Sequence, residues 1–276
     1  MDGTQLDTAP HAGAPDRAAT INLLGVKVSA LNLPEAVRRI EDAVVRRERG
    51  YVCVAGAHGL VDCQGDPTLR EAFNNALLVT PDGMPLVWEL RRQGHAEAGR
   101  VYGPDLMLAL IERGQLNGLR HYLYGATPGT LAKLEAALTR KSPRARIVGS
   151  YSPPFRPLTE TEEADVARRI NAAAPDLVWV GLSAPKQERW MARMRHRLEA
   201  PVLLGVGAAF DFHAGNVRQA PARLQRAGLE WAFRLAAEPR RLWRRYLRVV
   251  PRYLALLALQ RTGLRRFPDP GSQPPA

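Results

Sequence analysis

The stretch DLVWVGLSAPKQERWMARMRHRLEAPVLLGVG, residues 176–207, decides the fold class. Its first six residues form a short apolar run, too short for a helix and right for a strand buried on both faces. APKQERWMARMRHRL then reads as a helix with Pro185 near its start, and PVLLGVG returns to a strand. One buried strand, one helix and a second buried strand make a βαβ unit, whose strands run parallel.

The same alternation extends backwards. HYLYG (121–125) reads as a strand, TPGTLAKLEAALTR as a helix and RIVG (146–149) as a strand. TETEEADVARRINAA is a helix opened by Thr159, with Glu162 three residues on, the spacing of a capping box. Further towards the start, the pattern predicts a helix at 33–47, a strand at YVCVAG (51–56), a helix at 67–76, a strand at LLVT (77–80) and a helical pattern over PDLMLALIERG. The expected fold is therefore α/β and Rossmann-like, a mostly parallel sheet with flanking helices. Residues 1–19 read as a disordered leader, 20–216 as the α/β core, 217–267 as a helical, arginine-rich appendage and 268–276 as a disordered tail.

Composition narrows the function classes. The net charge of +12 is not spread evenly, because thirteen arginines face only Glu230 and Glu238 between Val217 and Phe267. Arg241, Arg245 and Arg248 share one helical face, beside an apolar stripe of Leu242, Tyr246 and Val249. Such a segment suits anionic lipid headgroups or a diphosphate, and Pro251 is expected to end or kink its helix. No secretory signal is legible, no apolar run approaches the ~20 residues of a membrane span, and two cysteines are too few for a disulfide framework or a four-ligand zinc site. His58 and His213 lack ligand-spaced partners and read as structural or hydrogen-bonding residues, so no metal site is expected. A reducing cytoplasm fits best.

In a parallel sheet the ligand binds at the carboxyl ends of the strands, so the residues following each strand are the candidates. TPDGMP places Asp82 after one strand. GATPGT feeds a helix start suited to phosphate. SAPKQE presents Lys186 and Gln187, and GVGAAFDFHAG carries Gly205 and Gly207, followed by Asp211 and His213.

Six blocks in order, TPDGMPLVW (80–88), RVYGPDL (100–106), YGATPGT (124–130), GLSAPKQERW (181–190), GVGAAFDFHAG (205–215) and GLEWAFRLAAEPRRLWRRY (228–246), make the chain similar to the WecG/TagA/CpsF glycosyltransferases over roughly residues 20–250. The resemblance implies an inverting, metal-independent transfer from a UDP-sugar donor to a polyprenyl-diphosphate-linked sugar acceptor at the cytoplasmic face of the membrane. No cofactor is implied. It assigns Asp82 as general base and Arg100 as a cation for phosphate charge, with Asp105 orienting it or a sugar hydroxyl. Gly125, Thr127, Lys186, Gln187, Gly207 and Asp211 are assigned to substrate, and Arg241, Arg245 and Arg248 to the membrane or the acceptor's diphosphate. Two positions depart from the family, Gly56 where asparagine is usual and Ser183 where glycine is common. A nucleotide-binding but catalytically silent scaffold and a basic nucleic-acid-binding protein stay open as alternatives. No nucleic-acid module is present, so nucleic acid is not among the expected partners, and a homo-oligomer is left open.

Overall fold

The computed structural model describes residues 18–226 and 228–269, except the side chains of Ala222, Arg226 and Arg241. The expected leader up to residue 17 and the expected tail from 270 lie outside the described residues.

The chain opens with a hairpin of β1 (Thr20–Leu23) and β2 (Val26–Ser29), turning through Leu24 and Gly25 at positive φ. Then come α1 (Leu33–Val45), β3 (Gly50–Ala55), α2 (Ala57–Asp62), α3 (Pro67–Asn74), β4 (Leu78–Pro81), α4 (Met84–Arg92) and α5 (Gly103–Asn117). The second half is β5 (Arg120–Gly125), α6 (Pro128–Lys141), β6 (Arg146–Tyr151), α7 (Glu160–Ala173), β7 (Leu177–Gly181), α8 (Lys186–Met194), β8 (Val202–Gly205) and α9 (Ala209–His213). The segment beyond is helical: α10 (Ala222–Arg226), α11 (Glu230–Ala237) and α12 (Pro239–Arg261).

Strands β3 to β8 form one six-stranded parallel sheet in the order β4-β3-β8-β7-β5-β6. The α/β, Rossmann-like reading is correct, and the expected capping box of α7 is present, with Thr159 and Glu162 bonding reciprocally. The sheet is buried on both sides along β3, β4, β5, β7 and β8, as their largely apolar sequences require, while the edge strand β6 is part-exposed. Along β7, Val178 and Val180 face one core with Trp190, Met191 and Met194 of α8, while Leu177 and Trp179 face a second core with Leu106 and Leu110 of α5 and Leu134 of α6. The period-two alternation of a strand thus divides the interior into two layers.

The arginine-rich segment is docked. Val249, Tyr253, Leu256 and Leu257 of α12 belong to the first of those cores, and α12 packs along α2. Its apolar stripe is consequently spent on the protein: Leu242 and Val249 are buried and Tyr246 half-buried. Gln260 fastens the far end to the hairpin, accepting from the Leu24 N–H at 3.0 Å and donating to the Asn22 carbonyl at 2.8 Å. Of the two outcomes expected of Pro251, an end or a kink, the end does not occur; α12 runs through it to Arg261. Buried side chains on both sides of Pro251 hold the helix to the core, which outweighs the one backbone hydrogen bond that proline removes.

Candidate active site

Asp82 follows β4 directly, its N–H donating to the Ala55 carbonyl at the end of β3 at 2.9 Å. Residues after Gly99 run back to the same corner, Val101 N–H bonding the Pro81 carbonyl at 2.8 Å, and this brings Arg100 over Asp82. Arg100 Nε donates to the Asp82 carbonyl at 2.5 Å, and Nη2 donates to Glu230 Oε2 at 2.5 Å while lying 3.5 Å from Asp82 Oδ1. The guanidinium also stacks 4.0 Å over the Tyr102 ring. One arginine therefore ties the end of the sheet to α11, and it sits between two carboxylates.

Asp82 Oδ1 is buried and has no hydrogen-bond partner, although the side chain as a whole keeps 30% of its exposure. Burial raises its carboxyl to about 6; Arg100 and Arg234 pull it down and Glu230 pushes it up. A carboxylate with an orphaned oxygen and a pKa one unit below neutrality is ionised at pH 7 yet basic enough to take a proton. Three further groups complete the corner. Arg234 of α11 lies over the Phe212 ring at 5.6 Å, its Nε buried without a partner. Tyr102 has a buried hydroxyl whose pKa burial raises. His58, at the start of α2, is held neutral, its pKa lowered to about 3 by burial and by Arg245 and Arg234. His58 also explains the local consequence of Gly56, since a Cβ there would come within 3.0 Å of its Nδ1. The imidazole takes the space that a larger side chain at 56 would need.

The second half of the site lies along the ends of β5, β7 and β8. Gly125 has φ +122°, and a Cβ on it would meet the Gly181 carbonyl oxygen at 2.6 Å, so only glycine lets β5 and β7 end this close together. Thr127 caps α6, its hydroxyl accepting from the Thr130 N–H at 3.2 Å. Asp211 Oδ1 accepts from Asn216 at 3.1 Å, and Asn216 also donates to Thr130 at 3.1 Å, which fastens α9 to the start of α6. Gln187 is buried at 3% exposure, bonded to Glu188 at 2.9 Å, with its Oε1 unpartnered beneath Gly207. Glu188 is itself buried, and burial raises its pKa. Lys186 stands exposed at the head of α8.

The two halves meet through α9 and the start of α5. His213 Nε2 lies 3.0 Å from the Pro104 carbonyl, the Phe212 and Tyr102 rings are 6.1 Å apart, and Gly103 abuts Val206. Asp105, exposed in the otherwise buried first turn of α5, lies within electrostatic reach of Arg100 and Glu230. The structure therefore gathers Asp82, Arg100, Asp105, Gly125, Thr127, Lys186, Gln187, Gly207 and Asp211 along one edge. Arg245 and Arg248 lie on α12, both exposed. The Arg241 side chain lies outside the described residues. Sequence reading missed Tyr102, His58, Glu230 and Arg234 as members of the site. Glu230 and Arg234 did lie within the quoted block GLEWAFR, which was the available signal. Among the described residues, no group of three His, Cys, Asp or Glu side chains could hold a metal ion.

A model of the Glycosyl transferase WecG/TagA/CpsF family matches residues 21–267. An N-acetylglucosaminyldiphosphoundecaprenol N-acetyl-beta-D-mannosaminyltransferase of Bacillus spizizenii is 30% identical over 223 residues, which cover 80% of this chain and 84% of that protein.

Proposed function

The chain belongs to the WecG/TagA/CpsF family of glycosyltransferases, and from that premise we propose that it moves a sugar from a UDP-sugar to a polyprenyl-diphosphate-linked acceptor, with inversion and without a metal. The donor sugar is N-acetylmannosamine, glucose or a related hexose. The name of the Bacillus relative favours N-acetylmannosamine, with a diphosphate-linked N-acetylglucosamine as acceptor. The observation that carries the reading is Asp82, whose raised pKa and buried Oδ1, held by no hydrogen bond and only by an ion pair with Arg100, suit a general base. Its carboxylate takes the proton from an acceptor hydroxyl as that oxygen bonds to the anomeric carbon. The bond from that carbon to the phosphate oxygen breaks on the opposite face, and its electron pair leaves with UDP. Arg100 and Arg234 supply positive charge where phosphate charge develops.

The reading also puts the enzyme on the cytoplasmic face of the membrane. Among the described residues no helix is long and apolar enough to cross a membrane. Support comes from a second stripe on α12, exposed at i, i+4, i+7 and i+11: Trp243, Leu247, Val250 and Leu254. Arg244, Arg248 and Arg252 flank it, the arrangement of a helix lying at an anionic lipid surface.

Transfer from a panel of UDP-sugars to a short-chain polyprenyl-diphosphate N-acetylglucosamine, with EDTA present, tests the reaction. Wild type is expected to transfer, and Asp82→Asn to lose on the order of a hundred- to ten-thousandfold in kcat. Equal rates would remove Asp82 from its role. UDP binding without transfer from any donor would favour a silent scaffold, the reading that Gly56 and the intruding His58 support.

A further inference from the structure

We propose that Phe155 is the platform on which the nucleobase of the donor stacks, an inference that rests on the donor being a uridine diphosphate sugar. Phe155 lies in the loop between β6 and α7 and is 100% exposed, more than any other large apolar side chain described. An aromatic ring left wholly in water gains nothing for folding, and a loop that displays one is normally free to move. This loop is braced instead. On one side Ser152 Oγ donates to the Ala126 carbonyl at 2.7 Å, which fixes it to the turn between Gly125 and Thr127. On the other side Arg156 grips Glu162 with two parallel bonds of 2.8 and 2.7 Å, and the same carboxylate accepts from the Thr159 N–H at 2.8 Å. Between these anchors Pro153 and Pro154 fix two backbone torsions. The backbone that carries the ring is held in place before any ligand arrives, which lowers the ordering cost of binding.

Its position fits the base end of a nucleotide. Lys186 Nζ lies 5.0 Å from the ring centroid, so the ring stands beside the loop after β7 as well as the one after β5. In the sheet, β7 lies three strands from β4 and Asp82, about 14 Å at roughly 4.8 Å per strand. A ribose and diphosphate can span that gap, which leaves the sugar at Asp82 and the base beyond Lys186, where the Phe155 ring stands 5.0 Å from Nζ. Uracil presents a π face to stack, and stacking on an aromatic side chain needs no particular hydrogen-bonding edge.

The test measures the affinity of the full-length protein for UDP and for inorganic pyrophosphate, in wild type, Phe155→Ala and Phe155→Trp. Phe155→Ala is expected to weaken UDP roughly tenfold to a hundredfold, the range that base stacking contributes, with pyrophosphate unchanged. Phe155→Trp should keep wild-type UDP affinity. In turnover, Phe155→Ala should raise KM for the donor and leave KM for the acceptor alone. Unchanged UDP affinity in Phe155→Ala, or equal weakening of UDP and pyrophosphate, overturns the assignment while the donor reading stands. Failure of the wild type itself to bind UDP is the distinct result that removes the donor reading and this assignment with it.

Discussion

At the amino ends of β3 and β4 a cavity of about 600 Å³ opens beside α1, and at the carboxyl ends of the same strands stand Asp82 and its neighbours. The cavity is lined by many charged side chains, and several of its arginines are paired within the chain. Arg46 meets Glu48 at 3.0 Å, Arg39 meets Glu35 at 2.5 Å, and Arg49 donates to the carbonyls of Arg195, His196 and Leu198. At the carboxyl end, Gln187 Oε1 and Arg234 Nε are buried without a hydrogen-bond partner, and Asp82 Oδ1 has only the ion pair with Arg100 at 3.5 Å. Burying a polar group without a partner costs about 1–3 kcal/mol, a cost that folding alone gives no reason to bear. What distinguishes the carboxyl end is that a carboxylate with a raised pKa, Asp82, stands there among buried polar groups, whereas the arginines around the amino-end cavity are tied to carboxylates or carbonyls.

The largest effect expected outside Asp82 itself breaks this contrast at Arg100. Arg100→Gln removes the charge that lowers the Asp82 pKa, so the carboxyl should climb above its present value of about 6. Because the base must be ionised, kcat/KM in the wild type should rise with pH through about 6 and level off above it. In Arg100→Gln the rise should move to higher pH, and the plateau should fall on the order of a hundredfold through lost phosphate stabilisation. A plateau reached at the same pH would show that Arg100 does not set the state of Asp82. Arg46→Ala, at the other end of the strands, is the control; its exposed pair with Glu48 contributes about 0–1 kcal/mol, and transfer should not change.

Glu89 sharpens the comparison, because it is a carboxylate as deeply placed as any in the site but fully answered. Its side chain is 1% exposed and accepts from Arg92, Gln93 and Arg261, tying α4 to α12. Burial alone would raise its pKa, but the hydrogen bonds from Arg92, Arg261 and Gln93 outweigh it and hold the carboxyl at about 2. A depressed pKa contributes stability that is present above the unfolded value, near 4, and is lost as pH falls towards 2. Glu89→Gln should therefore cost about 3 kcal/mol at pH 7, read by denaturant titration, and the difference from wild type should shrink below pH 4. A constant difference across that range would mean that packing, not charge, carries the effect.

The same distinction between local and distant partners decided what the sequence could disclose. The strands of the main sheet were legible because each is a continuous apolar run, and the capping box at Thr159 and Glu162 because its two members lie three residues apart. Asp82 and the Gly125 loop were legible because strand ends in a parallel sheet locate ligands wherever the helices pack. The β1–β2 hairpin was not, since its strands have four residues each and its turn is Leu24-Gly25, without the asparagine or aspartate that usually marks such turns. Nor was the pairing of Arg100 with Glu230, which lie 130 residues apart and meet only because α11 folds back over the end of β4. Tyr102 lay inside the block RVYGPDL but was singled out only by its burial under Arg100, and Phe155 carried no pattern at all; its exposure is a property of the folded chain.

The smallest effect concerns Ser183, the position where the family commonly has glycine. Its φ is +64°, in the left-handed region, where a Cβ costs about 1–2 kcal/mol relative to glycine. Its carbonyl accepts from the Gln187 N–H at 3.1 Å and so holds the first turn of α8 beneath the Gly205–Gly207 loop, a backbone role that glycine would keep. Ser183→Gly relieves the strain but gives the unfolded chain more freedom, which takes back about 0.5–1 kcal/mol. The net gain should lie between about 0 and ~1.5 kcal/mol, a rise in Tm of no more than ~6 °C for a chain of this size, with transfer unchanged. A fall in Tm would mean that the serine hydroxyl, not the backbone, holds the turn. A gain in transfer at constant Tm would mean instead that the departure at 183 had narrowed the donor pocket and that strain there bears on function.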